Sequence, residues 1–156
     1  MDIEITTQPT QNDIDEIRNG LQQHNKPYLE DVFHTDLACY SYKSNGDKSG
    51  GLIGEIWGNW LIIKFLWVDK ELSGNGIGSE LLVKAESYAI KHGCHSSFLD
   101  TFSFQAKPFY EQHGYNVEMV LKNHPITSER YYLTKSLLGA ANEAISTIYY
   151  TQHSWF

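Results

Sequence analysis

Apolar and polar positions alternate with several different periods along this 156-residue chain, and the changes of period mark out its elements. Ile3, Ile5 and Thr7 alternate with polar residues, which predicts a short edge strand. From Gln11 to Gln23 the period lengthens, with Ile14, Ile17 and Leu21 on one stripe, Thr10 ahead of it and Pro27 beyond its end, so a helix is expected there. Tyr28 to His34 reads as one or two further helical turns. Leu37–Lys43 and Leu52–Trp57 read as strands on either side of the turn-rich Ser44–Gly50, an antiparallel hairpin, and Gly58-Asn59 turns the chain again. The run Leu61–Val68 is apolar except for Lys64. It is too short to span a membrane and too β-branched and aromatic for a helix, so it predicts a central strand buried on both faces.

The pattern then breaks at three glycines on alternate positions, Gly74, Gly76 and Gly78. Beyond them Leu81, Leu82, Ala85, Tyr88 and Ala89 fall at helical spacing, with Gly93 placed to end the helix. Ser97–Phe102 reads as a strand, Phe104–His113 as a short helix with Pro108 near its start, Tyr115–Leu121 and Arg130–Thr134 as the last strands, and Leu137–Ile148 as a further helix. Three antiparallel strands ahead of the glycines, with helices interspersed, predict an α+β fold.

Strand, glycine loop and helix in that order make a site for phosphate. Glycines at a helix N-terminus expose unpaired N–H groups at the positive end of the helix dipole, with no side chains to block a close approach. A P-loop requires Lys and then Ser or Thr after its last glycine, and here Ser79-Glu80 follow Gly78. The dinucleotide fingerprint wants its first glycine directly off the strand, whereas Asp69–Ser73 intervene, although Asp100 lies at a suitable distance for a ribose contact. Ser73-Gly74-Asn75-Gly76-Ile77-Gly78 instead resembles the R/Q-x-x-G-x-G/A loop that holds the pyrophosphate of acyl-coenzyme A in GNAT-superfamily N-acetyltransferases. Phe109–Tyr115, FYEQHGY, is similar to the (L/F)-Y-x-x-x-G-(F/Y) signature that follows the loop helix in that family. The two motifs occur in the right order and spacing, and the resemblance covers residues 52–135.

The resemblance implies the GNAT fold over a single domain, residues 1–136, in which the strand ending at Val68-Asp69 and the strand Ser97–Phe102 splay apart around the pantetheine arm. It implies acetyl-CoA as cosubstrate. Val68 and Asp69 would contact it through the main chain, and Ser73, Gly74, Asn75, Gly76, Ile77, Gly78 and Ser79 would hold its diphosphate. Two positions depart from the family pattern. Ser73 stands where Arg or Gln usually opens the loop, and Ser103, three residues before Ala106, stands where many members carry Asn on the second cofactor segment.

The implied reaction is transfer of the acetyl group to a primary amine by direct attack in a ternary complex. A protonated amine must first lose a proton, and the departing thiolate must gain one. Carried over from the signature, Tyr110 is the expected general acid toward sulfur. Glu55 is the first choice of base, on the face of its strand that carries Ile53 and Trp57, with Asp69, Asp100 or a bound water as the alternatives. A non-catalytic acyl-CoA-binding or interaction module with the same fold would carry the same loop.

Composition narrows the partners. The net charge of −7 is concentrated early, with nine acids and four bases in residues 1–50 against ten and eight afterwards. No basic patch is visible, so nucleic acid is not expected, while a cationic small molecule or basic peptide suits the acidic first third. Cys39 and Cys94 are isolated and expected to be reduced thiols. Of the seven histidines only His92 and His95 lie close together in sequence, with Gly93 between them, so no metal is expected. The N-terminus carries no signal-like segment and no stretch spans a membrane, which points to the cytoplasm. Trp57, Trp60, Trp67, Tyr131 and Tyr132 read as core aromatics. The apolar tail, residues 137–156, is expected to dock on the body, cover the acceptor site or meet a second subunit in a homodimer.

Overall fold

A computed structural model describes residues 1–139. The chain divides into two compact units, the first ending at Val32. In the first, helix α1 (Gln11–Leu29) starts at a capping box: the Thr10 hydroxyl accepts the Asp13 N–H, and the Asp13 carboxylate accepts the Thr10 N–H. The helix runs six residues past its expected end and through Pro27. Proline in the last turn removes only one bond of the ladder there, and Glu30 N–H still closes on the Lys26 carbonyl. The expected turns after Tyr28 are therefore the end of α1. Residues 1–9 form no strand, and Ile3 and Ile5 are exposed. Alternation marks a residue pattern, but a strand exists only where its backbone finds a ladder.

The second unit is α+β. Among the described residues its strands β1 (His34–Tyr42), β2 (Lys48–Trp57), β3 (Trp60–Val68), β4 (Ser96–Phe102), β5 (Asn116–Leu121) and β6 (Arg130–Ser136) form one sheet in the order β1-β2-β3-β4-β6-β5. Every pairing is antiparallel except β3 with β4, which is parallel. Helix α2 (Ile77–Lys91) follows β3, and α3 (Lys107–Gln112) follows β4. The core joins Leu52, Ile56, Leu61 and Ile63 of the sheet to Leu81, Leu82, Ala85 and Ala89 of α2, with Leu99, Tyr115 and Leu133 beyond.

Strand β2 begins four residues earlier than its sequence suggests. Gly50 sits in the ladder rather than in the turn. A Cβ on Gly50 would stand 2.9 Å from the Trp67 carbonyl and 3.2 Å from Ile77, so the bare backbone lets the start of α2 close onto the sheet.

The expectation that β3 is buried on both faces is not met. Leu61 and Ile63 enter the core, but Phe65 is 69% and Trp67 55% exposed, while Trp57 and Trp60 also face outward. The apolar run is long because its outer residues line an open aromatic face. Leu137, the first residue of the expected tail, is buried and donates its N–H to the His95 carbonyl; residues 140–156, with the rest of that tail, lie outside the described residues.

Candidate active site

The site is built where β3 and β4 part. Their parallel pairing covers Trp60–Ile62 against Ser96–Phe98 and then stops, while β3 continues to Val68 and β4 to Phe102. The pairing of β3 with β2 shifts register at the same level, Gly54 facing Ile63 and Ile53 facing Phe65, which leaves Lys64 as the bulged residue. A bulge withdraws a residue from the ladder and bends the strand. Backbone groups on the far edge of β3 are thereby left facing a gap.

At the top of the gap the chain turns through Lys70–Leu72 into the glycine loop. Gly74 and Gly76 take φ of +87° and +80°, which side-chain-bearing residues rarely adopt, and nothing lies within 4 Å of where their Cβ atoms would be. The loop is held by its own side chains: Ser73 Oγ donates to the Lys70 carbonyl and Asn75 Nδ2 to the Leu72 carbonyl. Gly76 caps α2, so the N–H groups of Ile77, Gly78 and Ser79 point out of its first turn. A cavity of about 540 Å³ opens here, lined by Ser73, Gly74, Gly76, Ile77, Gly78 and Ser79 on the loop, by Leu66 and Val68 of β3, and by Ala106, Phe109 and Tyr110 around α3. A second cavity, about 250 Å³, fills the gap itself between Ile63–Trp67 and Leu99–Thr101. Leu66, Ala106 and Tyr110 belong to both walls.

Tyr110 is buried, and that burial, with a smaller contribution from the Asp100 charge, pushes its phenol up to about 12. It therefore keeps its proton at neutral pH and can donate it. Glu55 lies on the open face as alternation allowed, its Oε2 2.9 Å from His34 Nε2 and 3.0 Å from Lys64 Nζ. The His34 hydrogen bond first, and then that of Lys64, hold its carboxyl below the ordinary range. Asp36 joins this group, with one ligand-type atom each from His34, Asp36 and Glu55 within 4.8 Å of one another. The Lys64 ammonium already occupies the Glu55 oxygen, which makes this a hydrogen-bonded charge network rather than a cation site. Linear spacing gave no sign of it, because three strands bring the four residues together.

Other expected site residues are committed elsewhere. Asp69 donates its N–H to the Ser49 carbonyl and accepts Leu72 N–H, while its carboxylate takes Lys43 and the Glu71 N–H. Lys43 first and the Glu71 amide next hold that carboxyl low. Asp100 is gripped by the Arg130 guanidinium at 2.8 Å. Ser103 exchanges both its polar groups with the backbone of Glu129 and lies outside the lining of both cavities. The sequence reading missed His113, whose Nε2 lies 2.9 Å from Ser79 Oγ, and the buried Glu86–Lys135 pair at 2.8 Å, which ties α2 to β6. Burial pushes the Glu86 carboxyl up despite its lysine partner.

The geometry fits a ligand with a phosphate end and a narrow arm. Bare amides wait at a helix start, two cavities share a wall that carries a protonated phenol, and the unpaired edge of β3 offers hydrogen bonds to an amide-bearing chain. Comparison with known proteins agrees. Residues 6–115 match the profile of the Acetyltransferase (GNAT) family. A curated relative, the blasticidin-S acetyltransferase of Streptomyces morookaense, is 36% identical over 101 residues, 64% of this chain and 74% of that protein. The crystal structure of an acetyltransferase from Bacillus cereus superposes with a TM-score of 0.77 at 32% identity, covering 85% of this chain and 97% of that one. A solved structure from Agrobacterium tumefaciens gives a TM-score of 0.80 at 26% identity, covering 87% and 99%.

Proposed function

Because this chain belongs to the GNAT family of acetyltransferases and is an acetyl-CoA-dependent enzyme of that family, we propose that it acetylates a primary amine of a small cationic molecule. Residues 1–136 form the catalytic domain in this reading, in keeping with a family match that begins at residue 6. The observation that carries it is Tyr110, a protonated phenol on the wall shared by the phosphate-loop cavity and the gap between β3 and β4.

The Gly74–Ser79 amides take the diphosphate, and the unpaired edge of β3 up to Val68 orients the arm. Acetyl-CoA supplies an activated acyl carbon and a thiolate leaving group. Holding amine and thioester side by side provides much of the acceleration. In this reading the β3 bulge at Lys64 turns a backbone N–H toward the gap, where it would stabilise negative charge developing on the thioester oxygen. Tyr110 protonates the departing sulfur. Glu55 accepts the amine proton through a water and shares it with His34, the partner on its Oε2. A carboxylate held low is a weak base, so His34 carries part of that duty. Asp69 and Asp100 are held by Lys43 and Arg130 without the histidine partner that Glu55 has, and are set aside as bases.

The acceptor is cationic in this reading because Trp57, Phe65 and Trp67 present exposed aromatic surfaces, which attract ammonium groups, on the open face that also carries the exposed Asp36. The streptomycete relative is named for an antibiotic, and the same class is proposed here. The test is coenzyme A release with purified protein against blasticidin-S, polyamines and a basic peptide. Turnover with a small-molecule amine supports the proposal. Turnover confined to the peptide contradicts the acceptor class.

A further inference from the structure

The loop has no Arg or Gln side chain at its opening position. Ser73 stands there, and its hydroxyl is turned back onto the Lys70 carbonyl. Another side chain in the same cavity wall is better placed. Ser79 is the third residue of α2, where the N–H is still free of the helix ladder, and its hydroxyl lies 2.9 Å from His113 Nε2. His113 follows α3, with its N–H on the carbonyls of Phe109 and Tyr110, and it does not itself line the cavity.

We propose that His113 is a positioning residue for the diphosphate: it donates Nε2–H to Ser79 Oγ, so that the Ser79 hydroxyl must give its proton to a phosphate oxygen. This rests on the reading that the glycine loop holds the diphosphate of acetyl-CoA. A hydroxyl has one proton and two lone pairs. If Ser79 spent that proton on His113, only lone pairs would face the anion, a repulsive arrangement. With the imidazole as donor, Ser79 becomes a polarised donor beside the backbone amides of the first turn, and it supplies the side-chain hydrogen bond that Ser73 does not.

The test uses two acetyl donors, acetyl-CoA and S-acetyl-pantetheine, which carries the thioester arm without the diphosphate. Ser79→Ala and His113→Ala should each raise KM for acetyl-CoA roughly tenfold, the worth of a hydrogen bond to a charged group. Neither should alter kcat/KM for S-acetyl-pantetheine. The double variant should be no worse than either single one, and His113→Gln, whose amide N–H reaches a similar position, should recover most of the loss. Equal losses toward both donors would make His113 a structural strut and overturn the proposal, as would no loss toward either. Should the unaltered enzyme show no preference for acetyl-CoA over S-acetyl-pantetheine, the diphosphate does not bind this loop, and the underlying reading fails with it.

Discussion

Strand β3 treats its two edges differently. Toward β2 it pairs from Trp60 to Val68 across the bulge, with Gly54 and Gly50 clearing the way for close backbone contact. Toward β4 it pairs over three residues and then parts. One edge holds the sheet together and the other is left open. What keeps the halves in place beyond the parting is α2, packed on β1, β2 and β3 and bonded through Glu86 to Lys135 of β6. The cleft is thus a missing piece of sheet braced from behind.

The largest expected effect lies in the open gap. Tyr110→Phe should lower kcat on the order of 10³-fold while KM for acetyl-CoA holds, measured as thioester consumption at neutral pH. The raised phenol also fixes a sign. The folded protein keeps a Tyr110 proton that the unfolded chain gives up near 10, so this residue's contribution to stability is lost as pH rises from about 10 to about 12.

Removing the brace comes next. Lys135→Met leaves the buried Glu86 without its partner and should cost about 3 kcal/mol of stability by denaturant titration.

A third test contrasts the closed edge with the start of α2 at the phosphate loop. A Cβ at Gly54 would stand 2.5 Å from the Ile62 carbonyl oxygen, so Gly54→Ala should cost about 2 kcal/mol. At Gly78 the nearest atoms are 3.5 Å away, and Gly78→Ala should leave Tm unchanged.

The smallest effect belongs to the proposed proton acceptor. Glu55→Gln should lower kcat about fivefold, because His34 and bound water retain part of the role. With its carboxyl held low, Glu55 contributes stability above the ordinary carboxylate range that is lost as pH falls through its folded value. The acid limb of kcat in the unaltered enzyme should therefore not appear at that ordinary range.

Much of this architecture is legible in the sequence where local chemistry decides. The glycine loop, the helix after it and the order of strands from the hairpin to β6 follow from period and turn residues, and Tyr110 from the motif it sits in. What escaped depends on contacts distant in sequence. Gly50 looks like part of a turn until Ile77 is seen to need the space. The exposed faces of Phe65 and Trp67 look like core until β4 is seen to leave them uncovered. His34 and Glu55 are twenty-one residues apart, and Ser79 and His113 thirty-four, so only the fold reveals either pair.

The most direct measurement of the central claim is amide hydrogen exchange with and without acetyl-CoA. The account predicts that the ligand slows exchange in two stretches, Gly74–Ser79 and alternate amides of Phe65–Val68, and leaves Leu52–Trp57 unchanged. If Phe65–Val68 is already as protected as the paired edge without ligand, or gains nothing when acetyl-CoA binds, the open edge of β3 is not where the arm lies.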